Sequence, residues 1–194
     1  GAYDTLVAGE TLGDDELIER GVQRLRDLHT SVQENRTFTE YNSPTYTMVA
    51  LRDLATFRHH VKHAKAKSMV DDLFRLSWEI VAHHFHPTTR QWAGPNSRSY
   101  NALKDGRDDR NSGFLRTIEE WTSSAVDFGL GTTAQEPEWA CMDARCPEDL
   151  EPMFVSIDSP LERVETVIKQ ENLSHISSTY ITPQISLGSI NHQD

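Results

Sequence analysis

Three amphipathic helical patterns in the first 85 residues constrain the fold of this chain most strongly. In residues 14–34, apolar side chains recur at spacings of three and four, and acidic residues occupy the first turn. A second pattern begins at Ser43 and Pro44, an N-cap and a proline at the first helical position, and continues to Val61. The third covers about residues 65–85, with an apolar arc wide enough to contact helices on two sides. The chain is therefore expected to begin with helices packed as antiparallel hairpins.

The periodicity weakens after His86 and Pro87, which end the third pattern because the residue before proline avoids the α region. Residues 88–112 are rich in Gly, Pro, Asn and Ser and predict a long loop, and residues 115–125 predict a further helix. Residues 159–162, Ser-Pro-Leu-Glu, match a capping box and predict a short helix reaching Ile168. Residues 176–190 alternate partially and favour extended structure.

Helical hairpins with short connections, and no strand alternation before residue 170, predict a mainly α fold such as a bundle, a solenoid or a toroid. We expect a helical region over residues 1–128 and a connector over 129–158. Residues 159–194 are expected to form the short helix and an extended lead-in to a possible β domain. Gly1 is not a start methionine, so the N-terminus is expected to be processed or truncated.

Charge limits the partners of the chain. A net charge of −11 argues against a nucleic-acid-binding surface over the whole molecule, and the short apolar runs predict no membrane span. The charge is uneven, however. Residues 54–104 carry eight Lys or Arg against three Asp or Glu and six of the nine histidines. That segment is basic within an acidic chain and suits an anionic ligand.

Two cysteines occur, Cys141 and Cys146, in a loop-like stretch. Their spacing fits a local disulfide, two free thiols or no special role, and no second pair exists to complete a zinc site. No cofactor is expected from the sequence, since it contains no Gly-rich phosphate loop.

Two polar-aromatic blocks carry the candidate site residues. The first, residues 40–46, holds the carboxylate of Glu40, the phenols of Tyr41 and Tyr46 and the amide of Asn42 next to a helix start, whose free N–H groups attract anions. These residues equally fit core aromatics, a turn and a surface ion pair.

The second block, residues 93–100, holds Asn96, Arg98 and Tyr100 after a Gly-Pro turn. Arg98 could pair with a carboxylate through two hydrogen bonds, and an ordinary surface loop is the alternative.

The histidines at the end of the third pattern are the remaining candidates. His84 projects at the centre of the apolar arc, His83 points about 100° away and His86 lies past the helix end. Because they do not share one face, we expect no metal site. His84 is expected to be either a buried, hydrogen-bonded residue or a catalytic one.

The two blocks, together with three other short segments, resemble a known protein family. Residues 40–46 (Glu-Tyr-Asn-Ser-Pro-Thr-Tyr), 84–87 (His-Phe-His-Pro), 93–100, 178–183 and 187–189 resemble heparinase II/III-like, polysaccharide-lyase-like proteins. The resemblance implies helical hairpins of an incomplete (α/α) toroid, a β-sandwich to follow, a fragment of a longer chain, and a secreted or cell-envelope location. One departure is Asn96, where the resemblance leads us to expect histidine.

The activity implied by the resemblance is β-elimination at a uronic acid within an acidic oligo- or polysaccharide. Asn42, Asn96 or Arg98 would neutralise the uronate carboxylate, with Glu40 and Tyr41 also binding substrate. Tyr46 or His84 would remove the proton, and Tyr100 or Tyr41 would protonate the leaving oxygen. The alternatives are a glycoside hydrolase, for which Glu40 supplies only one of two carboxylates, and a noncatalytic glycan- or protein-binding domain.

Overall fold

The computed structural model describes residues 1–97, 113–131, 141–170 and 173–191. Within these ranges the chain forms five α-helices, a short 3-10 helix at Glu151–Phe154 and two antiparallel sheets. The helices are α1 (Ala2–Leu12), α2 (Asp15–Asn35), α3 (Pro44–His60), α4 (Ala64–His84) and α5 (Gly113–Trp121). The strands are β1 (Phe85–His86), β2 (Gln91–Trp92), β3 (Leu161–Gln170), β4 (Leu173–Ile181) and β5 (Ser186–Asn191).

The helices predicted from the periodic patterns are confirmed, and side-chain caps define where three of them begin. Asp14 accepts a hydrogen bond from the backbone of Leu17 at 3.0 Å, and Ser43 accepts one from Tyr46 at 3.3 Å. His63 accepts from Ala66 at 3.3 Å through Nδ1. Each cap satisfies a backbone N–H that the first turn leaves without a helical partner.

Helix α4 is central to the core, as its wide apolar arc predicted. It packs against α2, α3 and the 3-10 helix. Trp78 is fully buried, with its ring edge-on to Trp121 and Phe154 at centroid distances of 6.4 and 6.1 Å. Burial of a large apolar side chain of this kind stabilises the fold by about 2–3 kcal/mol, so α4 is held firmly in place.

Strands β3, β4 and β5 form an antiparallel sheet in sequence order. The register pairs Arg163 with Thr179 and Glu165 with Ser177. Ser177 and Thr179 are buried, whereas Val164, which lies between the two charged residues, is 64% exposed. One face of the sheet therefore packs on the helices with polar side chains, because neighbouring residues of a strand point to opposite faces.

The mainly α fold that we predicted is wrong, because the two sheets make this a mixed α/β arrangement rather than an incomplete toroid. The short helix predicted over residues 159–168 is also wrong, since Leu161–Gln170 is strand β3. Residues 164 and 166–168 are Val, Thr, Val and Ile, which are β-branched and favour a strand. Pairing of Leu161 and Glu162 with Ile181 and Tyr180 of β4 outweighs the local capping signal. The residues from 176 to 190 are extended, as expected.

A small hairpin follows α4 directly. Strands β1 and β2 pair Phe85 with Trp92 and His86 with Gln91, and Arg90 in the turn has a φ of 56°. This hairpin also contradicts the expectation of no strand before residue 170. It folds residues 91–96 back onto the end of α4.

No helix in the described ranges is long and apolar enough to cross a membrane.

Candidate functional site

Polar side chains from five segments meet where the end of α4 faces the three-stranded sheet. We call this place the junction. Four of its residues are buried: Tyr41 and Asn42 from the segment before α3, His84 from α4 and Ser177 from β4. Trp92 from β2 and Glu165 from β3 are half-buried. These residues are joined by hydrogen bonds.

Tyr41 connects the helical region to two strands. Its hydroxyl donates to Glu165 Oε2 at 3.1 Å and also contacts the Ser177 hydroxyl, and the side chain is only 5% exposed. Burial raises the pKa of Tyr41, and the neighbouring Glu165 charge adds to this effect against the opposing hydrogen bond with Ser177. The phenol therefore keeps its proton and acts as a donor.

His84 is held at both ring nitrogens. Nδ1 lies 3.2 Å from the Ala93 carbonyl oxygen, and Nε2 lies 3.3 Å from Glu165 Oε2. A carbonyl and an ionised carboxylate both only accept hydrogen bonds, so each ring nitrogen of His84 faces an acceptor. The ring also stacks on Trp92 with an interplanar angle of 7°. The expectation of a buried, hydrogen-bonded His84 agrees with this geometry.

Glu165 is the acceptor on which these contacts converge. Burial alone would raise its pKa, but the hydrogen bond and charge of His84, the Tyr41 hydroxyl and the charge of Arg163 together lower it. The carboxylate is therefore ionised. Its Oε1 lies 4.0 Å from Nη1 of Arg163, on the same face of β3.

Asn42 uses both ends of its amide inside the protein. Its Oδ1 accepts from the Trp92 indole N–H, and its Nδ2 donates to the Ala93 carbonyl, the Pro95 carbonyl and Asn96 Oδ1 at 3.0, 3.1 and 3.2 Å. Its φ of 43° lies in the left-handed region, which asparagine tolerates better than most residues. Asn42 therefore fixes the loop at residues 93–96.

Gly94 lets this loop lie against the sheet. A Cβ atom at Gly94 would lie 2.5 Å from the Thr179 hydroxyl and 2.9 Å from Nδ2 of Asn42, and its φ is +95°. Only glycine fits both the space and the backbone conformation. The loop, the sheet and the end of α4 are thus in direct contact.

His83 and Arg163 form the less buried side of the junction. Both side chains are half-buried, and within the described part of the chain no hydrogen bond involves His83. Burial lowers the pKa of His83 to about 4, and the charges of Arg163 and His84 contribute. His83 is therefore neutral near neutral pH.

Arg163 has an unsatisfied donor. Its Nε is buried without a hydrogen-bond partner, while the side chain as a whole is 28% exposed. Burial lowers the pKa of Arg163 against the opposing charge of Glu165. A guanidinium nevertheless stays charged in proteins, so the junction carries a cation with a free donor.

Comparison with known proteins adds one match. A family model described as "Domain of unknown function (DUF8769)" matches residues 3–107, more than half of the chain. The chain belongs to the DUF8769 family. No curated protein and no solved structure matches it. The DUF8769 match includes Tyr41, Asn42, His83 and His84, whereas Arg163 and Glu165 follow it in sequence.

The junction unites four of the residues that the sequence marked, namely Tyr41, Asn42, His84 and Asn96. Two more lie beside it along the chain: Glu40 is half-buried next to Tyr41, and Tyr46 is half-buried in the first turn of α3. Arg98 and Tyr100 lie outside the described residues.

Sequence reasoning missed Glu165, Arg163 and the unpartnered state of His83. The β-branched residues of 161–170 were the available signal. Had the segment been interpreted as a strand, its alternation would have placed Arg163 and Glu165 on one face.

Two further candidate sites can be compared with the structure. Among the described residues, no group of three His, Cys, Asp or Glu side chains could hold a metal ion. Cys141 and Cys146 are free thiols, the first exposed and the second buried. Burial raises the pKa of Cys146 to about 12, so this thiol is not a nucleophile near neutral pH.

Proposed function

We propose that this protein binds an acidic oligo- or polysaccharide at the junction and cleaves it by β-elimination at a uronic acid. The supporting observation is the pair of half-buried side chains beside the buried network, a charged Arg163 with a free donor and a neutral His83 without a hydrogen-bond partner. The network beneath them has its hydrogen bonds satisfied internally and serves to position them.

Arg163 is the group that would neutralise the substrate carboxylate. A uronate carboxylate withdraws little electron density while it is negatively charged, so pairing it with a cation makes the adjacent C–H more acidic. A guanidinium suits this role because it can donate two parallel hydrogen bonds to a carboxylate. The Arg163 side chain is 28% exposed, although its unpartnered Nε is itself buried.

His83 is the group that would remove the proton. A general base must be unprotonated, and burial together with the nearby cations keeps His83 neutral. A substrate carboxylate bound to Arg163 would offset one of those cations and make His83 a stronger base. The electron pair of the C5–H bond then forms the C4–C5 double bond as the C4–O bond breaks.

The leaving oxygen needs a proton. Of the two described tyrosines that the sequence analysis named as candidates, Tyr41 and Tyr46, we assign this role to Tyr46. It is half-buried, whereas Tyr41 is buried and already donates to Glu165. Tyr41 and His84 therefore take positioning roles through Glu165. Asn42 takes the same kind of role, since its amide is saturated.

The test incubates the purified protein with uronate-containing polysaccharides and follows the ultraviolet absorbance of the new double bond. We expect Arg163→Gln and His83→Gln to lower the initial rate at least about 100-fold. The matched controls Arg26→Gln and His29→Gln, on α2, should retain the wild-type rate. Full activity in both junction variants would disprove the site, and new reducing ends without absorbance would indicate hydrolysis.

A further inference from the structure

A cluster of cations lies at the end of α3 and α4 opposite to the junction. It occupies the turn between the two helices, residues 58–67, which we call the basic turn. Its exposed cations are Lys62, Lys65 and Lys67. At about 1.5 Å per residue, helices of 17 and 21 residues place it about 25–30 Å from the junction.

The acidic groups near the basic turn are already engaged. Asp71 pairs with Arg58 at 2.6 Å, and the Glu10 carboxylate accepts the backbone N–H groups of Lys62 at 3.1 Å and His63 at 2.7 Å. Glu10 thereby caps the start of α4 through backbone donors. Within the described residues, the three lysine side chains make no ion pair, so their charges face solvent.

We propose that the basic turn is a second anion-binding surface, which holds a stretch of acidic polysaccharide away from the junction. The choice of ligand rests on the proposed function, whereas the anion-binding character rests on the three unpaired lysines. A long polysaccharide gains affinity when two distant surfaces hold it at once, since the second contact is intramolecular.

The shape of the surface favours a single flexible polyanion. The lysines lie within two turns of one helix start, and the whole chain carries a net charge of −11. A duplex or a flat anionic membrane would extend over the surrounding acidic surface and be repelled. Single-stranded nucleic acid is usually held by bases stacked on aromatic rings. The tyrosine beside the turn, Tyr3, is half-buried with its ring against Phe57 and His60, so it is poorly placed to stack on a base.

The test measures the fluorescence anisotropy of a labelled polygalacturonate oligosaccharide at low salt. We expect Lys62→Gln/Lys65→Gln to weaken binding about fivefold and to reduce its salt dependence, because exposed charge contacts are weak and screened. The control Arg20→Gln/Arg26→Gln removes the same charge from α2 and should change affinity less than about twofold. Equal affinity in both double variants would overturn the proposal.

Two further measurements separate this surface from the proposed function. A labelled single-stranded DNA with the same number of charges should bind more weakly than the oligosaccharide, and equal or tighter binding of DNA would overturn the choice of ligand. The ultraviolet absorbance of the same samples reports elimination independently. If binding depends on the lysines but no cleavage occurs, the second surface is supported and the lyase activity is rejected. If cleavage occurs but binding does not depend on the lysines, the lyase activity is supported and the second surface is rejected.

Discussion

Asn42 uses all of its polar side-chain atoms within the protein, which makes it the most constrained residue of the junction. Its amide joins Trp92 to the loop at residues 93–96, and the side chain is 1% exposed. The sequence placed Asn42 near the site from its position before a helix start. Its role as a structural tie depends on residues about fifty positions later, which no local pattern contains.

Truncating this side chain should therefore destabilise the fold. Asn42→Ala leaves the Trp92 indole N–H and the backbone carbonyl of Pro95 without this partner and removes one of two contacts of the Ala93 carbonyl, at a cost of about 2–4 kcal/mol. Urea denaturation measures the loss. The control Asn35→Ala removes a single bond to Ser31 at a less buried position and should cost less than about 1 kcal/mol. Equal losses of stability in the two variants would contradict the structural role of Asn42.

Arg163 should control the protonation of His83. Burial is the largest cause of the low pKa of His83, and the charge of Arg163 is the next. Arg163→Gln should therefore raise the pKa of His83 above about 4, toward but not reaching the ordinary value of 6.5. Nuclear magnetic resonance titration of the imidazole protons measures this shift, with His29 as an internal reference. An unchanged His83 titration would show that the two side chains do not interact.

At the scale of elements, β3 carries most of what the sequence did not reveal. The helices were predictable because each encodes its own start, through Asp14, Ser43 and an apolar stripe. A local helix signal at Ser159–Glu162 overlaps the start of β3, and the pairing that overrides it joins Leu161 and Glu162 to the far end of β4, at Ile181 and Tyr180. Two residues of the junction, Arg163 and Glu165, were hidden for the same reason, since both lie on β3.

The contact between the loop and the sheet should tolerate no side chain at Gly94. Gly94→Ala places a Cβ atom 2.5 Å from the Thr179 hydroxyl at a positive φ of 95°, and we expect a loss of about 2 kcal/mol or more. Gly113→Ala is the matched control, because a Cβ atom there meets nothing within 4 Å. Its stability should stay within about 0.5 kcal/mol of the wild type. If Gly94→Ala left the free energy of unfolding unchanged, the loop would not lie against the sheet.

Glu165 should make the attachment of the sheet to the helices pH-dependent. Its folded-state pKa lies below the ordinary value of 4.5, so its contribution to stability is present above that value and is lost as pH falls through the folded pKa. Glu165→Gln should therefore destabilise the protein at neutral pH, and the difference from wild type should shrink below about pH 4.5. Urea midpoints measured from pH 7 to pH 3 test this, and a difference independent of pH would contradict it.

At the scale of the whole molecule, the DUF8769 match and the described fold divide the junction between two parts of the chain. Residues 3–107 provide α2 to α4, most of α1, the hairpin and His83, and the sheet provides Arg163. The prediction of a mainly α chain failed at this scale, because a helical first half does not determine what packs on it. The polar face of the sheet turns the end of α4 into a junction with ionisable groups from both parts.

The most direct test of β-elimination at the junction is the mass of the products formed from a defined oligouronate. Elimination adds no water, so we expect an unsaturated fragment that is lighter by one water than the corresponding hydrolysis product. The wild type and Arg26→Gln should form it, and Arg163→Gln should form at least about 100-fold less. Products that carry the added water, or unsaturated products formed equally by Arg163→Gln, would contradict the proposed mechanism.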